Sequence, residues 1–203
     1  LIHGIWDTNA IFNPMTAYLS QHGFRVYSLD LIPNNGSVGL DLLAVQLADF
    51  IDNSFDPEQP LDLIGFSMGG LVSRYYVQRL RGIDRVQRFI TVSSPHHGTL
   101  TAYSFWLPGY VQMRPGSNFL RDLNQDAAML QHINFTSIWT PYDAMIVPAS
   151  SSQMPICREI KQNVLLHHLM ITDPKILSAV VAELEAPIKE LKTETLVGGN
   201  TQK

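Results

Sequence analysis

The sequence has few of the residues that build disulfides, thiolate metal centres or nucleic-acid surfaces. Its 203 residues include a single cysteine, Cys157, which excludes an internal disulfide and leaves too few thiols for a thiolate metal site. The 14 lysines and arginines are scattered, and the formal net charge is -4. Because no basic cluster is available to follow a phosphate backbone, we expect no nucleic-acid partner.

Long hydrophobic runs are also missing. No stretch approaches the roughly 20 apolar residues that a membrane-spanning helix needs, so the chain is not predicted to span a membrane. No secretory signal is visible, but Leu1 to Gly4 has the pattern of the end of a buried strand, so we expect this strand to begin before Leu1. The expected location is the cytoplasm or the periphery of a membrane surface, with secretion left open.

Apolar patterns along the chain predict alternating strands and helices. Continuous apolar runs predict strands at 24–29, 61–66, 86–92, 135–140 and 163–166. Helical spacing predicts helices at 39–53, 71–80, 118–130 and 173–184, preceded by one that starts at an Asn13 cap and closes at Gly23. This order predicts a mostly parallel sheet with helices on both faces, in a single domain at 1–185 followed by a tail at 186–203.

One serine stands between two glycines at the junction of a predicted strand and a predicted helix. The stretch from Gly65 to Gly69 reads G-F-S-M-G, which fits the pattern G-x-S-x-G. In this context the pattern predicts a strained turn that exposes the Ser67 hydroxyl above the edge of the sheet, as a nucleophile requires. The alternative is a tight turn in which the glycines only allow close packing and Ser67 caps the helix.

A serine nucleophile needs a base within hydrogen-bond reach. His167 and His168 follow the last predicted strand, at the carboxyl edge where ligands collect in open α/β sheets, and one of them is the expected base. His96 and His97 follow the strand at 86–92 and could in principle bind a metal. Because no carboxylate or cysteine lies at ligand spacing and no H-E-x-x-H occurs, we expect no metal site.

The base in turn needs an acid that orients it. Asp143 comes just beyond the predicted strand at 135–140, again at a carboxyl edge, and is the favoured residue. Asp122 and Asp126 lie within a predicted helix, where a solvated surface role is expected. The resulting order along the chain is Ser, Asp, His.

The chain resembles the α/β-hydrolase family, and within it the small lipases and esterases, over nearly all of Leu1 to about Leu184. The resemblance implies a three-layer α/β/α sandwich around a mostly parallel sheet. The motifs that carry it are the oxyanion-loop motif at Leu1–Trp6, the nucleophile elbow at Gly65–Gly70, the S-P-H-x-G-T segment at Ser94–Thr99, the stretch at Met113–Ser117 and the acid loop at Tyr142–Pro148.

The resemblance also implies which residues act. In small bacterial lipases an apolar stretch follows the catalytic histidine, as in G-H-L-G-L, and this pattern matched to His167–Ile171 makes His168 the base. His167 then stands where the family usually has glycine. The implied catalytic residues are Ser67, Asp143 and His168, and no cofactor is implied. The implied oxyanion donors are the backbone N–H groups of Ile5 and Met68.

The segment 99–116 is rich in aromatic residues and has neither helical nor alternating period. One interpretation is an acyl-binding wall or small cap that contains Trp106, with Trp6 adding to it, and that makes transient contact with a membrane surface. The alternative is that these aromatics cover the end of the sheet as core.

The expected function is hydrolysis of carboxylic esters of lipids, with acylglycerols or membrane glycerolipids as substrates. A thioesterase or acyltransferase on the same three residues, acting on another acyl ester, is the enzymatic alternative. A non-catalytic ligand-binding protein is a remote one, because a fold does not determine a function.

Overall fold

A parallel four-stranded sheet forms the centre of the computed structural model, which describes residues 1–189. Its strands are β1 (Leu61–Phe66), β2 (Val86–Val92), β3 (Asn134–Trp139) and β4 (Arg158–Lys161). They pair in the order β1-β2-β3-β4. From Leu63 to Phe66 every residue of β1 is buried, because helices cover both faces of the sheet.

The first residues of the chain extend the sheet beyond β1. Ile2 forms parallel bridges to Leu29 on one side and to Gly65 on the other. Its N–H donates to Ile64 O and its carbonyl accepts from Phe66 N–H, both at 2.9 Å. The loop that follows Ile2 therefore emerges at the same edge of the sheet as the carboxyl end of β1.

Helices pack on both faces of the sheet and divide the core in two. They are α1 (Asn13–Gln21), α2 (Leu40–Ser54), α3 (Met68–Arg79), α4 (Pro108–Met113), α5 (Asn118–Gln125) and α6 (Pro174–Glu185). Short 3₁₀ helices lie at Asn9–Phe12, Gly82–Asp84, Leu100–Ser104, Ala127–His132, Ala149–Ser152 and His167–Ile171. One apolar cluster contains Leu43 and Leu71 of α2 and α3, and the other contains Leu19 and Val180 of α1 and α6. Burial of each such side chain stabilises the fold by roughly 1.5–3 kcal/mol.

Several predicted elements are wrong in place or extent. The last strand is Arg158–Lys161, a polar edge strand without an apolar run, and 163–166 is a loop. The stretch 24–29 is extended but has only the single bridge at Leu29. The helix predicted at 118–130 ends at Gln125 and continues after Asp126 as a 3₁₀ helix. Asn13 lies inside α1 and does not cap it, because a 3₁₀ turn leads directly into the helix.

The aromatic segment 99–116 is more regular than its sequence suggests, since it contains the 3₁₀ helix Leu100–Ser104 and α4. Of the predicted tail, 190–203 lies outside the described residues, while Ala186 and Lys189 hydrogen-bond to the body of the domain. Between residues 1 and 189, no helix combines the length and the apolar character that crossing a membrane requires.

Candidate active site

Ser67 occupies a strained turn between β1 and α3. Its φ of 53° and ψ of -124° lie in a region that residues other than glycine rarely adopt. The backbone is held there by the Ser67 N–H, which donates to Val92 O at 2.9 Å, and by the Ser67 carbonyl, which accepts from Gly70 N–H at 3.1 Å. The Ser67 side chain makes no capping hydrogen bond to α3. Its hydroxyl is therefore not used as the helix cap that was the alternative interpretation.

Two glycines of the elbow are required by close approach of backbone. A Cβ on Gly65 would lie 2.5 Å from Gly70 Cα, and one on Gly69 would lie 2.5 Å from His3 O. Both distances are shorter than any real Cβ contact, so a side chain at either position would push apart β1, α3 and the loop after Ile2. The G-x-S-x-G pattern thus reflects packing of three segments at one point.

Asp143 is held in the turn after β3 and pairs with His167. His167 Nδ1 lies 2.7 Å from Asp143 Oδ2, and both side chains are buried. Asp143 Oδ1 accepts from the backbone N–H groups of Met145 and Ile146, each at 2.9 Å. Burial alone would raise the pKa of Asp143, but the hydrogen bond and charge of His167, together with these amides, hold the pKa below its ordinary value.

The structure pairs Asp143 with His167 and not with His168, the histidine that the resemblance implied. The His168 side chain is 63% exposed, and its nearest carboxylate is Asp7, with 3.9 Å between Nε2 and Oδ1. Both histidines begin a 3₁₀ helix, in which successive side chains point about 120° apart, so only one of them can face Asp143. The one that does is His167, whose ring also packs on Phe66, the residue before Ser67, with centroids 4.8 Å apart.

The predicted oxyanion loop is a tight turn beside Ser67. Asp7 N–H donates to Gly4 O at 3.4 Å, and Trp6, with a φ of 65°, takes the position where such turns usually have glycine. A Cβ on Gly4 would lie 3.1 Å from Ser67 Cβ, so the bare Cα faces the serine. Among residues 1–189 no acceptor binds the N–H of Ile5 or of Met68, the first residue of α3.

A buried histidine anchors this loop to the neighbouring segment. His3 Nε2 accepts from Leu31 N–H at 2.9 Å, which makes Nδ1 the donor to Gly4 O at 2.8 Å. His3 is fully buried. Both ring nitrogens are therefore used structurally, and the neutral tautomer is defined by its two partners.

Trp6 and Trp106, the predicted substrate-binding residues, both lie at the surface. The Trp6 indole N–H donates to Tyr110 OH of α4 at 2.8 Å, which connects the oxyanion loop to the aromatic segment. Trp106 is 83% exposed, and its ring lies 4.2 Å from the guanidinium of Arg114. Tyr110 and Met113 of the same segment are buried, so part of it is core and part is exposed.

The remaining predicted candidates have structural partners. His96 is fully buried, with Nε2 3.0 Å from Thr91 Oγ1, and burial lowers its pKa well below the usual value. Asp122 and Asp126 pair with Arg79 at the surface. Across the described part of the chain, no three histidine, cysteine, aspartate or glutamate side chains are grouped to hold a metal ion.

Two residues that the sequence analysis did not single out belong to this site. Asp7 closes the oxyanion turn through its N–H, and Tyr110 holds Trp6 from 104 residues away. The position of Asp7 directly after the motif at Leu1–Trp6 was a usable signal. Nothing in the sequence connects Tyr110 with Trp6.

Comparison with known proteins identifies the family. The family model for the alpha/beta hydrolase fold matches residues 1–153. Lipase BlEst2 of Bacillus licheniformis superposes with a TM-score of 0.72 at 16% identity, covering 90% of this chain and 89% of that one. The lin2722 product of Listeria innocua gives 0.69 at 15% identity, covering 93% and 94%. Lipase B of Aspergillus fumigatus gives 0.68 at 16% identity, covering 89% and 50%.

A sequence comparison with curated proteins finds no match. The likeness to the solved structures is one of fold, since the identities are low. The family model, by contrast, spans most of the chain, including the turn at Gly4–Asp7, the elbow and the Asp143 turn. The chain belongs to the alpha/beta hydrolase family.

Proposed function

We propose that this protein is a serine hydrolase that cleaves carboxylic esters of lipids, with acylglycerols or membrane glycerolipids as substrates. The observation that carries the proposal is the buried 2.7 Å pair of His167 and Asp143, whose imidazole packs on Phe66, the residue directly before a serine held at positive φ. A histidine oriented by a carboxylate is the activating group that a serine nucleophile needs. The lipases among the structural neighbours agree with this chemistry.

In the proposed mechanism His167 moves protons and Asp143 orients it. Because Asp143 accepts from Nδ1–H, Nε2 of the neutral ring is free to take the proton of Ser67 Oγ. As Oγ bonds to the acyl carbon, the carbonyl π electrons move to its oxygen, where the N–H groups of Ile5 and Met68 would stabilise the charge. Collapse breaks the bond to the alkoxide, which takes the proton from His167. Water then repeats the sequence on the acyl-enzyme.

The exposed aromatics of 99–116 support a lipid rather than a small soluble ester as substrate. Trp106 and Tyr103 lie on the guanidinium of Arg114 at 4.2 and 4.7 Å, and Phe105 packs on Tyr110, with ring centroids 4.8 Å apart. Aromatic rings with a cation between them suit the boundary between water and acyl chains. Through Tyr110 and Trp6 this surface is continuous with the oxyanion turn.

Labelling with a fluorophosphonate tests the chemistry. The reagent phosphonylates an activated serine, so we expect covalent labelling of the wild type, none in Ser67→Ala and a strong reduction in His167→Gln. His168→Gln is the matched control and keeps the label. Folded wild-type protein that takes up no label would contradict the proposal.

Activity on two kinds of ester tests whether the substrate is a lipid. We expect Trp106→Ser to lose more activity on emulsified long-chain esters than on soluble short-chain esters, because only the former need the exposed aromatic surface. Tyr27→Ser removes another exposed aromatic outside this segment and should leave the ratio unchanged. Equal losses of Trp106→Ser on both substrates would argue for a soluble ester.

A further inference from the structure

A second carboxylate lies beside the nucleophile and takes no part in the proposed mechanism. The position that a Cβ of Gly4 would occupy is 2.8 Å from Asp7 Oδ2 and 3.1 Å from Ser67 Cβ. The carboxylate and the serine thus face each other across the bare Cα of Gly4. The Asp7 side chain is 13% exposed, so it is open to a ligand on one side only.

This placement carries an electrostatic cost. A negative charge on Asp7, in the same turn as the proposed oxyanion donor Ile5, opposes the negative charge that develops on the substrate. Burial raises the pKa of Asp7, although the nearby His168 and the backbone N–H of Gly4 act in the opposite direction. Within residues 1–189 no side chain donates a hydrogen bond to this carboxylate. A group that donates to Asp7 from the substrate would offset part of that cost.

His168 lies on the open side of Asp7. The 3.9 Å between His168 Nε2 and Asp7 Oδ1 is too long for a direct hydrogen bond, yet one oxygen atom placed between them can bond to both. The His168 ring packs edge-on against His167, with centroids 5.7 Å apart. The Asp7–His168 pair is therefore in contact with the Asp143–His167 pair and lies near the reacting atoms.

We propose that Asp7 and His168 bind a free hydroxyl of the leaving alcohol, so that the enzyme prefers esters of polyols, such as monoacylglycerols, over esters of simple alkanols. This inference rests on the proposed ester hydrolysis. A hydroxyl can donate to Asp7 and at the same time accept from a proton on His168 Nε2, so one alcohol oxygen serves both side chains. The ligand belongs to the alcohol side because the acyl chain carries no hydrogen-bonding group.

The test compares two esters that differ only in hydroxyl groups, 2,3-dihydroxypropyl butyrate and propyl butyrate. For the wild type we expect a higher kcat/KM on the hydroxylated ester. Asp7→Asn and His168→Gln should each lower the ratio of the two values, Asp7→Asn about tenfold, the size of a hydrogen bond to a charged group. Since both residues bind one hydroxyl, the double variant should lower the ratio by less than the product of the single effects.

Matched controls are Asp49→Asn and His132→Gln, which change exposed residues and should leave the ratio as in the wild type. A ratio that neither Asp7→Asn nor His168→Gln changes, in variants that unfold at the wild-type temperature, overturns the inference and leaves ester hydrolysis standing. A labelled enzyme that cleaves both esters equally well also overturns it. A wild type that cleaves neither ester and takes no fluorophosphonate overturns the proposed function and this inference with it.

Discussion

Two pairs of adjacent histidines follow strands of the same sheet, and they differ in one respect. His96–His97 comes after β2 and His167–His168 after β4. In each pair the first side chain is buried and the second is exposed. The buried ring of the first pair contacts the hydroxyl of Thr91, while that of the second contacts the carboxylate of Asp143.

The partner determines what a buried imidazole can do. Burial lowers the pKa of His96, and the charge of the buried Arg74 acts in the same direction, so this ring stays neutral and fills space. His167 is also buried, but the carboxylate of Asp143 can stabilise the cation that forms when His167 takes a proton. A histidine that is only buried, such as His96, has a structural role. A buried histidine that is also paired with a carboxylate, such as His167, is a candidate base.

The largest effect is expected from His167→Gln. Without its proton acceptor Ser67 is not activated, so kcat/KM on a short-chain p-nitrophenyl ester should fall on the order of 10⁴-fold. The unfolding temperature should change little, which circular dichroism can verify. A loss of less than tenfold would mean that His167 is not the base, so that the pairs His96–His97 and His167–His168 do not differ in chemistry.

Asp143→Asn should make His167 resemble His96, because each would then be a buried ring without a carboxylate partner. We expect kcat to fall on the order of 10³-fold, because the imidazolium loses its stabilising charge while the nucleophile stays in place. Steady-state kinetics measure this, with Asp122→Asn as a surface control. Wild-type activity in Asp143→Asn would assign the orienting role elsewhere.

His96→Leu should alter stability rather than chemistry. The lowered pKa means that below about pH 6.5 the unfolded chain binds a proton that folded His96 does not, so the wild type loses stability as the pH falls, by up to about 1.4 kcal/mol per pH unit. Replacement by leucine removes this loss. Chemical denaturation at pH 7.5, 6.5 and 5.5 measures it, with His132→Gln as the control. Parallel curves for His96→Leu and wild type would refute the buried neutral state.

The smallest effects are expected at the second member of each pair. His97→Gln and His168→Gln change exposed rings, so each should alter the free energy of unfolding by less than about 0.5 kcal/mol. Equilibrium denaturation at neutral pH gives these values. A change above 1 kcal/mol at either position would show that the exposed ring is part of the packing.

Positions at the ends of apolar strands could be predicted well from the sequence. β1 and β2 have the expected bounds, and Ser67 and Asp143 lie at the expected edge because the carboxyl ends of parallel strands meet there. β4 could not be predicted, because an edge strand of charged residues has no apolar run to reveal it.

The choice between His167 and His168 illustrates how far the site could be predicted from the sequence. The two residues differ by one position, and a 3₁₀ helix converts that position into a rotation of about 120°. No local pattern indicates the start of that helix. The contact between Trp6 and Tyr110 is similarly hidden, since it depends on how α4 folds back over the oxyanion turn.

The strained turn at Trp6 also makes the site visible to spectroscopy. The chain has three tryptophans, and the indole of Trp6 is next to the predicted oxyanion donor Ile5 and 59% exposed. In a variant with Trp106 and Trp139 changed to phenylalanine, the emission of Trp6 alone should shift to shorter wavelength when an acyl chain covers it. The residue that takes the place of glycine in this turn is thus an intrinsic fluorophore for measuring how fast substrates arrive and products leave.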